Sequence, residues 1–384
     1  MLYVGVDVST SKFDVAVMTQ EFKFIASKSF SFNSDGFAEF ITFLKKFNEP
    51  LTIAMEASGS FTFNLFDFLN EHNFNVFILH PYFVRKLSTS KSKTDPIDAK
   101  QIADTCARFF DKLSDWSYLD EDTLALRDLV RFRYSLVESS ANLQKRFKDI
   151  LRSYLPELLN FFSQLDSKVL LELLSNFPSK QAIIKNEQQV IQLLTSFKNW
   201  NEQKAKAFVN AIKRSIGRKD KHQVAQTIIL SITQQLKQIK EQIQSIDNQI
   251  KQMMEQFDQT NFPDIPGIGD TTKATIISEV GDIEKFESKE KFVSYIGLDP
   301  VIHQSGKSTK HKGISKKGNK VLRRIFYNLA IRAIRLIDKY KKKYQELLSR
   351  GKKPKQAIIA IARKLAELVW ILWTRKESFD ISKA

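Results

Sequence analysis

The sequence predicts an α/β first domain, a long helical middle carrying a coiled coil, and a mainly helical last third. Three observations predict it. Apolar residues alternate near the start, with Val4, Val6 and Val8 followed by Phe13, Val15 and Val17, the period of half-buried strands. A three-then-four spacing of large apolar residues runs through 229–257, the signature of a helical seam. Pro-Gly punctuation at 265–269 then opens a last segment that holds no acid from Pro300 to Ile337, where cations are dense. The expected domains are 1–115, 116–260 and 261–384.

Two strands around Val6 and Val15 are joined by a polar turn at Ser9–Lys12, and a third strand fits Phe22–Phe32. Asn33 or Ser34 caps a helix carrying Phe37, Phe40, Ile41 and Leu44. A buried strand over Leu51–Met55, a helix over Phe61–Glu71 and a fifth strand over Val76–Leu79 follow. Thr94 then caps a helix that begins at Asp95 and continues into 99–109. Three strands, then helix, strand, helix, strand, helix is the element order of a ribonuclease H-type fold, and many other α/β domains begin similarly.

Four acids stand out in this frame. Asp7 interrupts an apolar strand between Val6 and Val8, where β propensity disfavours it. Glu56 ends the fourth strand and is followed by the small residues Ala57, Ser58 and Gly59. Asp95 and Asp98 are three apart, so a helix sets both carboxylates on one face, where they repel without a cation between them. Hard divalent cations take oxygen ligands, and metal-assisted phosphoryl transfer needs carboxylates converging from several elements. Taken singly, each acid also reads as an ordinary cap or turn residue.

In the middle, 120–162 is helical with Pro156 as an interruption, and 158–210 is helix-prone without recognisable chemistry. Ile229, Ile232, Leu236, Ile239, Ile243, Ile246, Ile250, Met253 and Phe257 form the a/d seam. A homotypic contact between protomers is expected there, with an intramolecular hairpin against 120–155 as the alternative.

The last third opens on I-P-G-I-G, a turn similar to a helix-hairpin-helix element, in which Gly267 and Gly269 let backbone amides approach a phosphate. A helix over Thr271–Val280 follows. Between Pro300 and Ile337 there is no acid, while Lys307, Lys310, Lys312, Lys316, Lys317, Lys320, Arg323 and Arg324 crowd a Gly-punctuated loop leading into a helix. That is a footprint for a phosphate backbone. Within it, Ser305 lies beside Gly306 and among cations suited to stabilising an oxyanion, although such a serine is commonly only part of a binding patch.

Composition narrows the classes. Of 384 residues, 60 are Lys or Arg and 43 are Asp or Glu, a net charge of +17 that suits a polyanionic partner, nucleic acid first. A codon-biased but otherwise ordinary basic protein is the alternative. Cys106 is the single cysteine, which excludes intramolecular disulfides and a Cys-based zinc site, and the 5 histidines form no H-x-x-x-H pair. Met1 leads straight into a strand-like run and no apolar stretch approaches bilayer length, so a cytoplasmic protein without a membrane association is expected.

The motifs together resemble one family, the insertion-sequence transposases of the IS-one-ten type, which join a RuvC-like DEDD domain to a serine domain and include Piv-type DNA invertases. The resemblance rests on G-V-D-V-S at 5–9, A-M-E-A-S-G at 54–59 and K-T-D-P-I-D-A at 93–99. In the last third it rests on I-P-G-I-G at 265–269, F-V-S-Y-I-G-L-D-P at 292–300, Q-S-G at 304–306 and G-I-S-K-K-G-N-K-V-L-R-R at 313–324. It leaves 156–222 unmatched. It implies that Asp7, Glu56, Asp95 and Asp98 bind magnesium and that Ser305, not Ser308, is the nucleophile that forms a phosphoserine link to DNA. It further implies a guide (bridge) RNA that pairs with donor and target DNA, and oligomers built through the coiled coil, with one protomer's acids meeting another's serine. Two other readings compete: a structure-specific nuclease of the Holliday-junction resolvase type, and a non-catalytic architectural nucleic-acid-binding protein.

Overall fold

A computed structural model describes residues 1–56, 61–79, 95–113, 121–256, 262–265, 267–305, 308–316 and 318–379. Thr94, Phe257, Gly306, Lys307 and Lys317 lie outside them, as do the side chains of Asp95, Ser305, Lys310 and Lys312. The chain divides into two units, one made of 1–121, 263–267 and 280–384, the other of 122–262 and 268–279.

The first unit begins with strands β1 (Leu2–Val8), β2 (Lys12–Thr19) and β3 (Phe24–Ser31), then helix α1 (Ser34–Leu44) and β4 (Leu51–Glu56). Helix α2 (Thr62–Glu71), β5 (Asn75–Leu79) and α3 (Asp95–Arg108) complete this part. The sheet order is β3-β2-β1-β4-β5, with β1–β2–β3 antiparallel and β4 and β5 joining parallel. This is the ribonuclease H-type arrangement that the element order predicts. Alternation assigns the faces: Val4, Val6, Val8, Phe13, Val15, Ile53 and Met55 bury one side with Phe40, Leu44, Leu65 and Leu69 of α1 and α2. Asn33 caps α1, its side chain accepting from the Gly36 amide at 2.8 Å.

The second unit is helical. Helix α4 (Glu121–Tyr154) leads through a 3₁₀ turn (Pro156–Asn160) into α5 (Lys168–Asn176), α6 (Lys180–Lys185), α7 (Glu187–Thr195), α8 (Glu202–Lys213) and the long α9 (Val224–Gln256). Its core unites Phe147, Leu151, Leu170, Leu174, Phe208 and Ile212 with Ile229, Ile232 and Leu236 of the predicted seam. Further along, Ile246 and Ile250 pack with Leu126 and Val130 of α4 and with Ala274. The seam is therefore covered by the chain itself over Ile229–Leu236 and at Ile246 and Ile250, while Ile239 and Ile243 between them are half-buried and Phe257 lies outside the described residues. Helix α10 (Asp270–Val280) follows.

The first unit resumes with α11 (Lys289–Ile296), strands β6 (Pro300–Ser305) and β7 (Ser308–Ile314), then α12 (Lys320–Leu336), α13 (Asp338–Ser349) and α14 (Pro354–Arg375). Phe292, Phe326, Leu322, Ile361, Leu365 and Trp373 supply its apolar interior. The Gly-punctuated loop expected at 300–314 is instead an antiparallel hairpin, with Ser305 opposite Ser308 and His303 opposite Lys310. Val301, Ile302 and Thr309 favour extended backbone. Among the described residues, no helix is long and apolar enough to cross a membrane.

Candidate active site

The geometry of the acids follows from register. Gly5 and Val6 of β1 lie beside Ala54 and Met55 of β4 in a parallel pair, so the next positions are Asp7 and Glu56. Because Val6, Val8 and Met55 face α1 and α2, alternation turns Gly5, Asp7, Ala54 and Glu56 to the opposite face. There α3 lies across the sheet. Tyr3 clusters with Ile102 and Cys106, whereas a Cβ on Gly5 would sit 2.2 Å from both the Ala103 amide nitrogen and the Ala99 carbonyl oxygen. The helix thus runs counter to β1, and its first turn, with Asp95 and Asp98, arrives at the Asp7 end.

Only glycine at position 5 allows this approach, since any side chain there would push the helix off the strand. Ala16, Met18, Ala99 and Ala103 close the packing beside it. Asp7, Glu56 and Asp98 are each half-buried, partly reachable from solvent. Among the described residues no three Asp, Glu, His or Cys groups converge closely enough to hold an ion as they stand. The donor chemistry nonetheless suits magnesium: carboxylates from two strand ends and a helix start, with no sulfur or imidazole among them. Cys106 lies at the Tyr3 end of the same helix, where burial pushes its thiol pKa up and its sulfur donates to the Thr52 carbonyl at 3.9 Å.

Sequence reasoning passed over Lys12 and Asp14. In the antiparallel β1–β2 pair Asp14 stands directly opposite Asp7, on the same face. Asp14 is 7% exposed, and the Lys12 ammonium donates to its Oδ2 at 3.0 Å. The available signal was parity: Lys12 and Asp14 alternate with the buried Phe13 and Val15, as Asp7 alternates with Val6 and Val8.

The serine and cation motifs assemble separately. Helix α11 ends at Gly297, whose φ of 77° is left-handed and whose amide bonds the Val293 and Ser294 carbonyls. The basic segment is fastened to that end. Asn319 donates its amide to the Tyr295 carbonyl at 2.7 Å, and its side chain caps α12 at Val321 and Leu322. Ser315 donates its amide to the Asp299 carbonyl and its hydroxyl to the Asp299 carboxylate. Arg323 donates Nη1 to the Ile296 and Gly318 carbonyls, and burial lowers its pKa, so this guanidinium joins the two motifs to each other. Lys316, Lys320 and Arg324 are exposed around it. Ser305 ends β6, and Lys310 and Lys312 lie on β7.

In the predicted hairpin-type turn, Gly267 has φ 91° and its carbonyl accepts from Arg332 Nη1 at 3.1 Å. The Gly269 carbonyl accepts the Thr272 and Lys273 amides, starting α10. At the far end of α10, Glu279 is fully buried and bound twice by Arg131, Nε to Oε1 at 2.7 Å and Nη2 to Oε2 at 2.9 Å. The buried Arg127 donates to the Ser278 and Glu279 carbonyls.

Comparison with known proteins returns two transposase families. The model of DEDD-type IS110 transposases matches residues 4–156, and that of transposases of the IS116/IS110/IS902 family matches 259–345. A transposase of an insertion sequence element from Coxiella burnetii is 35% identical over 118 residues, 30% of this chain and 32% of that protein, so the match spans about a third of that relative. An uncharacterized protein of insertion element IS116 from Streptomyces clavuligerus is 24% identical over 342 residues, covering 86% of this chain and 84% of its own. A pilin gene-inverting protein from Moraxella lacunata is 23% identical over 386 residues, 98% of this chain and 97% of that one.

Proposed function

Because the chain belongs to the IS110/IS116 family of transposases, we propose that it cuts and rejoins DNA using Asp7, Glu56, Asp95 and Asp98 as magnesium ligands and Ser305 as nucleophile. The observation that carries this is the convergence of Asp7 and Glu56, at neighbouring strand ends, with the helix that Asp95 and Asp98 begin. When bound, magnesium supplies charge neutralisation at the phosphate and Lewis acidity toward its oxygens. The protein's own share is to hold the carboxylates on a rigid sheet–helix contact and to bring cations to the phosphate backbone. Ser305 Oγ forms the new bond to phosphorus while a deoxyribose oxygen leaves, so the phosphodiester energy is retained in a serine–phosphate link. Attack on that link by a deoxyribose hydroxyl of the joining strand releases Ser305 and completes the exchange.

In this reading the working parts are a RuvC-like domain over 1–115, a helical region over 116–260 and a serine domain over 261–384. Lys307, Lys310, Lys312, Lys316, Lys317, Lys320 and Arg324 track donor and target DNA, with Gly267 and Gly269 offering amides to a phosphate. Arg323 serves by locking the basic segment to α11. A guide RNA reads sequence by base pairing while the protein reads backbone and shape. The half-buried Ile239 and Ile243 are the part of the seam available to a second protomer.

Ser305→Ala is expected to abolish strand exchange and the covalent protein–DNA adduct seen on denaturing gels, leaving DNA affinity within about a factor of two because a lone hydroxyl adds little to backbone binding. Exchange at the wild-type rate by that variant would remove Ser305 from the reaction. Hydrolysed ends without any adduct in the wild type would favour a resolvase-type nuclease.

A further inference from the structure

The first domain sets two carboxylates against each other. Asp7 and Asp14 are directly opposed across β1 and β2, on the face covered by α3. Opposed residues in an antiparallel pair have Cβ atoms about 4.5–5.5 Å apart, and like charges so placed destabilise the pair. Burial aggravates this, because Asp14 is only 7% exposed and little water screens it. Both acids belong to a sheet whose other face is apolar core, so neither can turn away without breaking the register.

Lys12 is the cation placed to relieve this. It precedes Asp14 by two residues, hence on the same face, and its ammonium lies 3.0 Å from Asp14 Oδ2. Since Asp7 pairs with Asp14, Lys12 is the diagonal cross-strand neighbour of Asp7, a separation of about 7–8 Å that a long side chain spans. The turn before it is fixed by the Ser9 amide and hydroxyl, which both donate to the Lys12 carbonyl, at 2.9 and 2.7 Å. The base of the side chain is thereby held, and its head is held by Asp14.

We propose that Lys12, anchored by Asp14, is a built-in counter-ion for Asp7, a positioning residue that holds this carboxylate in place before a divalent cation arrives. The inference rests on Asp7 being a metal ligand only for its purpose; the charge coupling itself stands on the β1–β2 register. Lysine suits the role because a single mobile charge can withdraw along its stem when a doubly charged ion enters.

A double-mutant cycle on the full chain tests it. In EDTA, Lys12→Met is expected to lower the midpoint of thermal unfolding by about 2–4 °C. In an Asp7→Asn background the same change should cost measurably less, because only Asp14, one of the two charges it balances, remains. Lys12→Arg should hold the wild-type midpoint. If Lys12→Met alone fails to fold, folding of Lys12→Met/Asp7→Asn supports the coupling, and failure of both variants overturns it. Additive losses, or no loss from Lys12→Met, overturn it as well. A separate arm adds magnesium: a rise in midpoint for the wild type but not for Asp7→Asn supports the metal site. Loss of that arm alone removes the metal and leaves the Lys12–Asp7 coupling standing.

Discussion

Gly5 fixes how near α3 can come to the sheet. Its missing Cβ lets the backbone of α3 touch β1, and this contact delivers Asp98 to the strand end that carries Asp7. Overpacking a filled interior costs about 1–3 kcal/mol and more where backbone must move. Gly5→Ala is therefore expected to destabilise the protein by at least about 1–3 kcal/mol, read by urea denaturation. It should also depress strand exchange beyond the loss of folded protein, because the two halves of the carboxylate set move apart. Wild-type stability in that variant would mean that α3 does not rest on the strand. In the sequence, Asp7 was visible because an acid between valines has no packing reason to be there. Gly5 was not, since a glycine in a strand announces a close approach without saying of what. Lys12 and Asp14 were hidden for a related reason: charges at a strand's edge look like solvent-facing residues until the helix that covers them is placed.

At the level of elements, periodicity carried most of the fold. The order of strands and helices through residue 108 follows from alternation and capping, and Asn33 caps α1 as its side-chain chemistry requires. Two elements were read less well. The 300–314 segment has strand-forming residues, but its glycines and lysines dominate the pattern, and cross-strand pairing is not written in local composition. The a/d seam of α9 was legible as a seam, whereas its partner was not, because any apolar surface satisfies an isoleucine. The polar ties on α4 and α10 were invisible, as Glu279 is 152 and 148 residues from Arg127 and Arg131. Glu279 is fully buried and balanced by two guanidinium groups. Removing one partner of a buried ion pair costs about 3–5 kcal/mol, because the remaining charge is stranded. Glu279→Ala is expected to cost that much, measured by chemical denaturation, with Arg131→Ala milder because Arg127 still faces the carboxylate. Equal losses for the two variants would argue against the stranded-charge account.

For the whole molecule, charge is the organising quantity. A net +17 over 384 residues suits a partner that supplies anions, as DNA and the proposed guide RNA both would along their backbones. Nucleic acid extracted from the purified protein is expected to contain one discrete structured RNA rather than a broad mixture. Recombination by protein stripped of RNA would instead place the chain with protein-only inverting enzymes. The family was readable because the two ends carry independent motifs in a fixed order. The internal stretch between the two matches, 157–258, contains helices in which little beyond a seam is legible from sequence.

The bidentate grip of Arg131 on Glu279 also orders events in time. The two residues are 148 positions apart, and the chain between them is almost the whole second unit. During synthesis at about 5–20 residues per second, Arg131 emerges roughly 7 to 30 s before its carboxylate exists. Through that interval α4 has its apolar partners on α5 and α8 coming into place, while its first turns wait with two unanswered cations. The ion pair thus closes only after α10 has been made, so an incomplete chain keeps its helical unit unlatched.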